Sequence, residues 1–173
     1  MKAIERSTFT DAMRHIATPV SVITTDGPGG RFGVTVSSVC TASADPPQML
    51  ACIHLAGPTP AALRENGVFT VNMLGSRHGH VADSFAGRIA RWRADRFACD
   101  QWDVLVTGSP CLHDGLVVLD CRLVSELVIS THVAFVGEVV GLRKAAGLPM
   151  LYANQGYSRP HDPLSVQDPE FTL

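Results

Sequence analysis

The sequence has little charge of any one sign. Lys and Arg number 14 against 16 Asp and Glu, which leaves a formal charge of −2. No run of cations is present. Neutralising nucleic-acid phosphates needs clustered Lys and Arg, so nucleic-acid binding is excluded. Arg88, Arg91, Arg93 and Arg96 fall close together, but Asp95 and Asp100 dilute them. That segment reads as a solvated face with room for a local anion contact.

Long apolar runs are also missing. Nothing approaches the ~20 residues of a membrane span. The first residues, MKAIERSTFTDAMRHIA, lack the continuous apolar core of a signal peptide. A cytoplasmic protein without a membrane partner is expected. The 5 cysteines (Cys40, Cys52, Cys99, Cys111, Cys121) are odd in number and show no C-x-x-C spacing, so disulfides are not implied. The nucleotide cradles are absent too. Gly27-Pro28-Gly29-Gly30-Arg31-Phe32 fails G-x-G-x-x-G at its last position, and no G-x-x-x-x-G-K-[ST] occurs. Without a G-x-S-x-G elbow, an α/β-hydrolase is not expected.

What remains is apolar and β-branched. With 173 residues, 46% hydrophobic and 17% charged, the chain can bury a real core as one domain. Pro19–Thr25, Phe32–Val36, Val39–Ala44, Met49–Leu55, Val68–Leu74, Leu116–Val128, His132–Arg143 and Met150–Tyr152 read as strands. Met49–Leu55 is nearly all apolar, as a strand buried on both faces should be. Asp26–Gly30 supplies a hairpin turn, and Ile129–Thr131 a tight link.

Helices are few. Thr8 and Asp11 form a capping box that predicts a helix from about Phe9 to Ala17. Thr59-Pro60 predicts a cap followed by proline at the first helical position, with a helix to about Asn66 stopped by Gly67. Ser76 is positioned to cap a helix through Phe85. Gly87–Asp103 is the least regular stretch. Pro160–Leu173 carries three prolines and few anchors, so it reads as a tail over the surface or a partner. Short strands in succession predict a mainly β protein, an antiparallel barrel with peripheral helices.

The candidate site residues interrupt these strands. Thr35, Val36, Ser37 and Ser38 place hydroxyls and free backbone N–H groups where strands meet, and buried hydroxyls need partners. That suits an anionic, planar ligand. His54 ends one apolar strand and His132 begins another. His78 and His80 lack a third ligand, so no metal site is expected.

These segments resemble the short-chain NAD(P)H-dependent flavin reductases, the reductase components of two-component flavin monooxygenases. Within them the chain most resembles the subgroup that includes the reductase of 4-hydroxyphenylacetate 3-monooxygenase and the reductase of the pyrimidine-degradation monooxygenase. The residues that carry the resemblance are FTDAMRHIATPVSVITTDGPGGRFGVTVSSVCTASADPPQMLACI, FTVNML, FAG, DRF, W followed by TGSPCL, LDCRL, and STHVAFVGEV with Tyr152 and Tyr157. Together they span most of the chain before Pro160.

The resemblance implies an FMN-binding split barrel, an antiparallel Greek-key β-barrel, over residues 1–159, with 160–173 as a tail. It implies hydride transfer from NADH (or NADPH) to FMN or FAD at a homodimer interface, and release of reduced flavin to a separate oxygenase. By position, Thr35, Val36, Ser37 and Ser38 would line the ring and ribityl chain, and Cys52, Ile53 and His54 would edge the ring through backbone groups. Thr59 would meet the phosphate. Phe85, Ala86, Gly87 and Arg88 would close the phosphate side. His132 would face the nicotinamide with Tyr157 stacked nearby. The family often has an Arg/Asn-Ser-Ser run where this chain has His54 to Thr59, and glycine is common where Ser130 stands. A flavin carrier or electron-relay module on the same barrel is the alternative reading.

Overall fold

Turn residues cut the β-branched runs into short strands, and most of these assemble into one curled sheet. The structure, a computed structural model, describes residues 3–160. In chain order it contains α1 (Arg6–Met13), β1 (Thr18–Pro19), β2 (Ser21–Thr25), β3 (Phe32–Val36), β4 (Val39–Ala44), β5 (Pro47–His54), α2 (Thr59–Asn66) and β6 (Val68–Met73). These are followed by α3 (Gly79–Phe85), β7 (Trp102–Asp103), β8 (Cys111–Leu112), β9 (Val117–Ile129), β10 (His132–Lys144), β11 (Leu151–Ala153) and β12 (Gly156–Ser158).

Seven strands form the main antiparallel sheet in the order β3-β2-β6-β9-β10-β5-β4. Its two edge strands, β3 and β4, are consecutive in the chain and joined by Ser37 and Ser38 alone. The sheet must therefore curl until its edges meet at those two serines. The Cys52 N–H donates to the Ser38 carbonyl at 2.9 Å and fastens the meeting point. The result is a split barrel with its seam at Ser37-Ser38. Register shifts at Val136/Gly137 and Val139/Gly141 sharpen the curl, as bulges do. Gly137 is required there, because a Cβ would lie 2.5 Å from the Phe69 ring.

The barrel interior holds Ile23, Ala51, Ile53, Phe69, Val71, Val133 and Phe135, with Leu63 of α2 closing one end. A second core lies outside the barrel, where α3 and the following loop cover β2. Phe85, Phe97 and Trp102 meet there edge to face, with ring centroids 5.0–5.3 Å apart. Both faces of β2 are consequently buried.

Several sequence expectations are corrected. The first helix starts earlier and ends at Met13; Glu5, not Thr8, is its N-cap, and no side-chain cap bond forms. Thr10 instead donates to the Ser7 carbonyl. The predicted strand Pro19–Thr25 breaks at Val20, because β1 leaves to pair with β11 in a separate three-stranded sheet. β5 is not buried on both faces: Met49, Ala51 and Ile53 point inward and alternate with less buried residues. Pro58 is the N-cap of α2 and Thr59 its first residue, while Gly67 stops it at φ 68° as expected. His78, not Ser76, precedes α3. The predicted tail lies, beyond Pro160, outside the described residues.

Candidate functional site

The seam places the first group of site residues together. Val20, Thr35, Val36, Ser37, Ala86, Arg88, Tyr152 and Tyr157 line one open cavity of about 190 Å³. Edge strand β3 is its floor. The Thr35 hydroxyl donates to the Ala82 carbonyl at 2.7 Å and so ties α3 to that strand. Tyr157 rises from β12, an element the sequence did not announce, and its ring lies 5.7 Å from that of Tyr152.

Asp83 organises the far wall. The Tyr157 hydroxyl donates to its carboxylate at 2.9 Å, and the Arg88 guanidinium pairs with the same oxygen at 3.0 Å. Arg88 is therefore not a bare cation. Burial, aided by that hydrogen bond, pushes the Tyr157 hydroxyl up to about 12. Both tyrosines of the chain sit in this cavity. Spectrophotometric titration is expected to show Tyr157 ionising only near pH 12. Asp83→Asn should bring that transition down. The folded pKa exceeds the ordinary 10.0, so this contribution to stability is full below pH 10.0 and fades as pH rises towards about 12.

The second group lies further along the open edge. Leu55 N–H donates to the Thr131 carbonyl, so its neighbours His54 and His132 form a non-hydrogen-bonded pair with closely approaching side chains. Their exposed rings meet edge to face at 4.8 Å. Each Nδ1 is engaged locally: His54 accepts the Ala56 N–H, and His132 contacts the Thr131 hydroxyl. Strand alternation turns the His54 N–H to the same side as that of Cys52. There β4 has already ended, since its first residue, Val39, pairs with Ala51.

The remaining candidates serve packing or geometry. Ile53 and Phe85 turn their side chains into the two cores, leaving only backbone to border a ligand. Thr59 is buried at the start of α2. Gly87 adopts φ 75°, which lets the chain leave α3 sharply. His78 and His80 diverge. His78 is buried and contacts Asp114 at 3.2 Å, with burial lowering its pKa, whereas His80 contacts Asp100 at 2.8 Å. Among the described residues no group of three or more potential metal ligands forms.

Sequence reasoning missed Val20 and Asp83. Asp83 reads as an ordinary solvated helix acid, and its role emerges only when β12 brings Tyr157 alongside.

Residues 13–161 match the model of the flavin reductase like domain. The chain belongs to that family. It is 39% identical over 157 residues to a Methylorubrum extorquens (strain PA1) protein named FMN reductase (NADH) RutF 2, covering 90% of each chain. Among solved structures, a flavin reductase domain protein from Arthrobacter sp. FB24 superposes with a TM-score of 0.83 at 29% identity, covering 95% of this chain and all of that one. BorF, the flavin reductase component of a bacterial two-component tryptophan halogenase, gives 0.80 at 25% identity, covering 92% of this chain and all of that one. The cleft suits the family's ligand. Val20 and Val36 offer an apolar floor, the tyrosines aromatic walls, and Ser37 a hydroxyl rim, which together match a planar amphipathic ring.

Proposed function

We propose that this chain is an NADH-dependent flavin reductase that reduces FMN or FAD and releases the product to a separate oxygenase. The observation that carries this is the cleft on the β3 edge, walled by Tyr157, in a flavin reductase like domain. A bound flavin supplies the redox chemistry by accepting a hydride from the nicotinamide.

The protein's contribution is placement. The Thr35–Ser38 edge holds one side of the ring, and the Cys52–His54 backbone borders its polar rim. Thr59 and the Phe85–Arg88 turn close the far end. Backbone N–H groups along the rim stabilise negative charge there. Holding two reactants in a near-attack arrangement is worth ~7–11 kcal/mol without an acid or base. His132 positions the nicotinamide. His132→Ala is expected to raise the KM for NADH several-fold while FMN affinity stays within about twofold. Unchanged NADH kinetics would remove it from the site.

The reading includes a homodimer. Val124, Leu127, Val128 and Ile129 expose apolar side chains at the end of the β9–β10 hairpin. Every described residue of α1 is exposed, Phe9 and Met13 included. Apolar surface of this kind marks an interaction face. The five cysteines are free, which fits a reducing cytoplasm. No helix among the described residues is long and apolar enough to cross a membrane.

The direct assay mixes the protein with NADH and follows nicotinamide absorbance. Oxidation that depends on added FMN or FAD is expected. A protein that binds flavin yet leaves NADH intact would instead be a carrier.

A further inference from the structure

We propose that the His54 imidazole is a positioning residue for NADH, acting through His132. The inference rests on the reading of His132 above. It concerns the stretch where this chain departs from the family's Arg/Asn-Ser-Ser run, so the device belongs to this chain. In the flavin reading His54 contributes its backbone; its side chain is free for a second task.

His132 stands where a side chain is hard to hold. It opens β10 directly after the two-residue turn Ser130-Thr131, and its side chain is exposed. Ser130 has φ 53°, a left-handed conformation that costs a serine energy and persists only where the surroundings hold it. Strand β5 supplies the hold. The Leu55 N–H donates to the Thr131 carbonyl at 2.9 Å and pins the backbone of the turn. The imidazole needs a fastening of its own, because an exposed side chain otherwise samples several rotamers.

The His54 ring is that fastening. Register sets the two histidines directly opposite each other, with ring centroids 4.8 Å apart at an interplanar angle of 77°. This is the edge-to-face arrangement that ring quadrupoles favour. Among the described residues His132 pairs with no other aromatic ring. His54 serves as a fixed wall because its own ring is tied: Nδ1 accepts the Ala56 N–H at 3.0 Å. That bond leaves the proton of the neutral ring on Nε2. His132 is engaged at Nδ1, 2.9 Å from the Thr131 hydroxyl. Its Nε2 is therefore the ring nitrogen left to meet a substrate, and His54 sets where that nitrogen points.

The experiment measures kcat and the KM for NADH at saturating FMN, together with FMN affinity by flavin fluorescence. It compares the unaltered protein with His54→Ala, His54→Phe, His132→Ala and the double variant His54→Ala/His132→Ala. Both histidines are exposed, so the variants should fold, and retained FMN binding verifies it. His54→Ala should raise the KM for NADH about three- to tenfold, the size of one edge-to-face ring contact. FMN affinity and kcat should hold within about twofold. His54→Phe keeps a ring against His132 and should recover most of the loss. In the His132→Ala background, removing His54 should change the KM by less than about twofold, because nothing remains to be positioned. An unchanged KM in His54→Ala, or a His54→Phe protein as poor as His54→Ala, would overturn the inference. So would equal losses in both backgrounds, which would put His54 itself against the nicotinamide. A fall in FMN affinity as large as the NADH effect would give the imidazole to the flavin and overturn it too. The underlying reading fails by other results: NADH kinetics unchanged in His132→Ala, or no flavin bound by the unaltered protein, would sink that reading and this inference with it.

Discussion

An Ala86→Trp variant is expected to lose flavin affinity by about a hundredfold or more, equivalent to roughly 2.7 kcal/mol. Ala86 follows α3 with helical backbone angles, and its side chain is exposed at the wall of the ring cleft. An indole there occupies the volume that a flavin ring needs. Its backbone N–H bond to the Ala82 carbonyl is untouched, and exposed substitutions of this kind shift stability by about 0.5 kcal/mol or less. FMN titration beside thermal unfolding checks both halves of the prediction. Ala86→Ser, which leaves the cleft open, should bind FMN normally. An Ala86→Trp protein that still bound FMN normally would place the flavin elsewhere.

The second large effect concerns the barrel wall. Asp120 on β9 is fully buried. Its carboxylate accepts the Val106 and Thr107 N–H groups at 2.7 Å each and also hydrogen bonds with the Thr107 and Thr70 hydroxyls. It fastens the segment before β8 to the sheet. In Asp120→Ala those two part-buried amides and the Thr70 and Thr107 hydroxyls lose their acceptor, and each such hydrogen bond contributes about 0.5–1.5 kcal/mol, or about 1.5–3 to a charged group. A loss of about 4 kcal/mol is expected, read as a lower urea midpoint. Asp120→Asn keeps one acceptor oxygen and should lose about half as much.

The strands were largely legible because their signals are local. Apolar and β-branched runs marked β3, β4, β6, β9 and β10, and Gly67 marked the end of α2. Where a tertiary partner decides the outcome, the sequence was silent or misleading. The Thr8–Asp11 box lost to a helix that starts three residues earlier. The Pro19–Thr25 run hides a break, because β1 is claimed by a strand more than a hundred residues away. The nearly all-apolar run of β5 reads as doubly buried, yet one of its faces looks out of the barrel.

The site was legible in the same uneven way. Thr35–Ser38 stood out because hydroxyls interrupted apolar strands, and the family resemblance added Ala86, Arg88 and Tyr157. The convergence of Val20, Asp83 and Tyr152 on that cleft depends on strand order, which no local pattern encodes. The pairing of His54 with His132 depends on register, fixed only once β5 and β10 lie side by side.

The most direct measurement is a crystal structure of the protein grown with FMN. The isoalloxazine ring should rest on the Thr35–Ser37 edge, faced by Tyr157. A ring bound away from the Ser37-Ser38 seam, or a seam left without flavin at saturating FMN, would contradict the account.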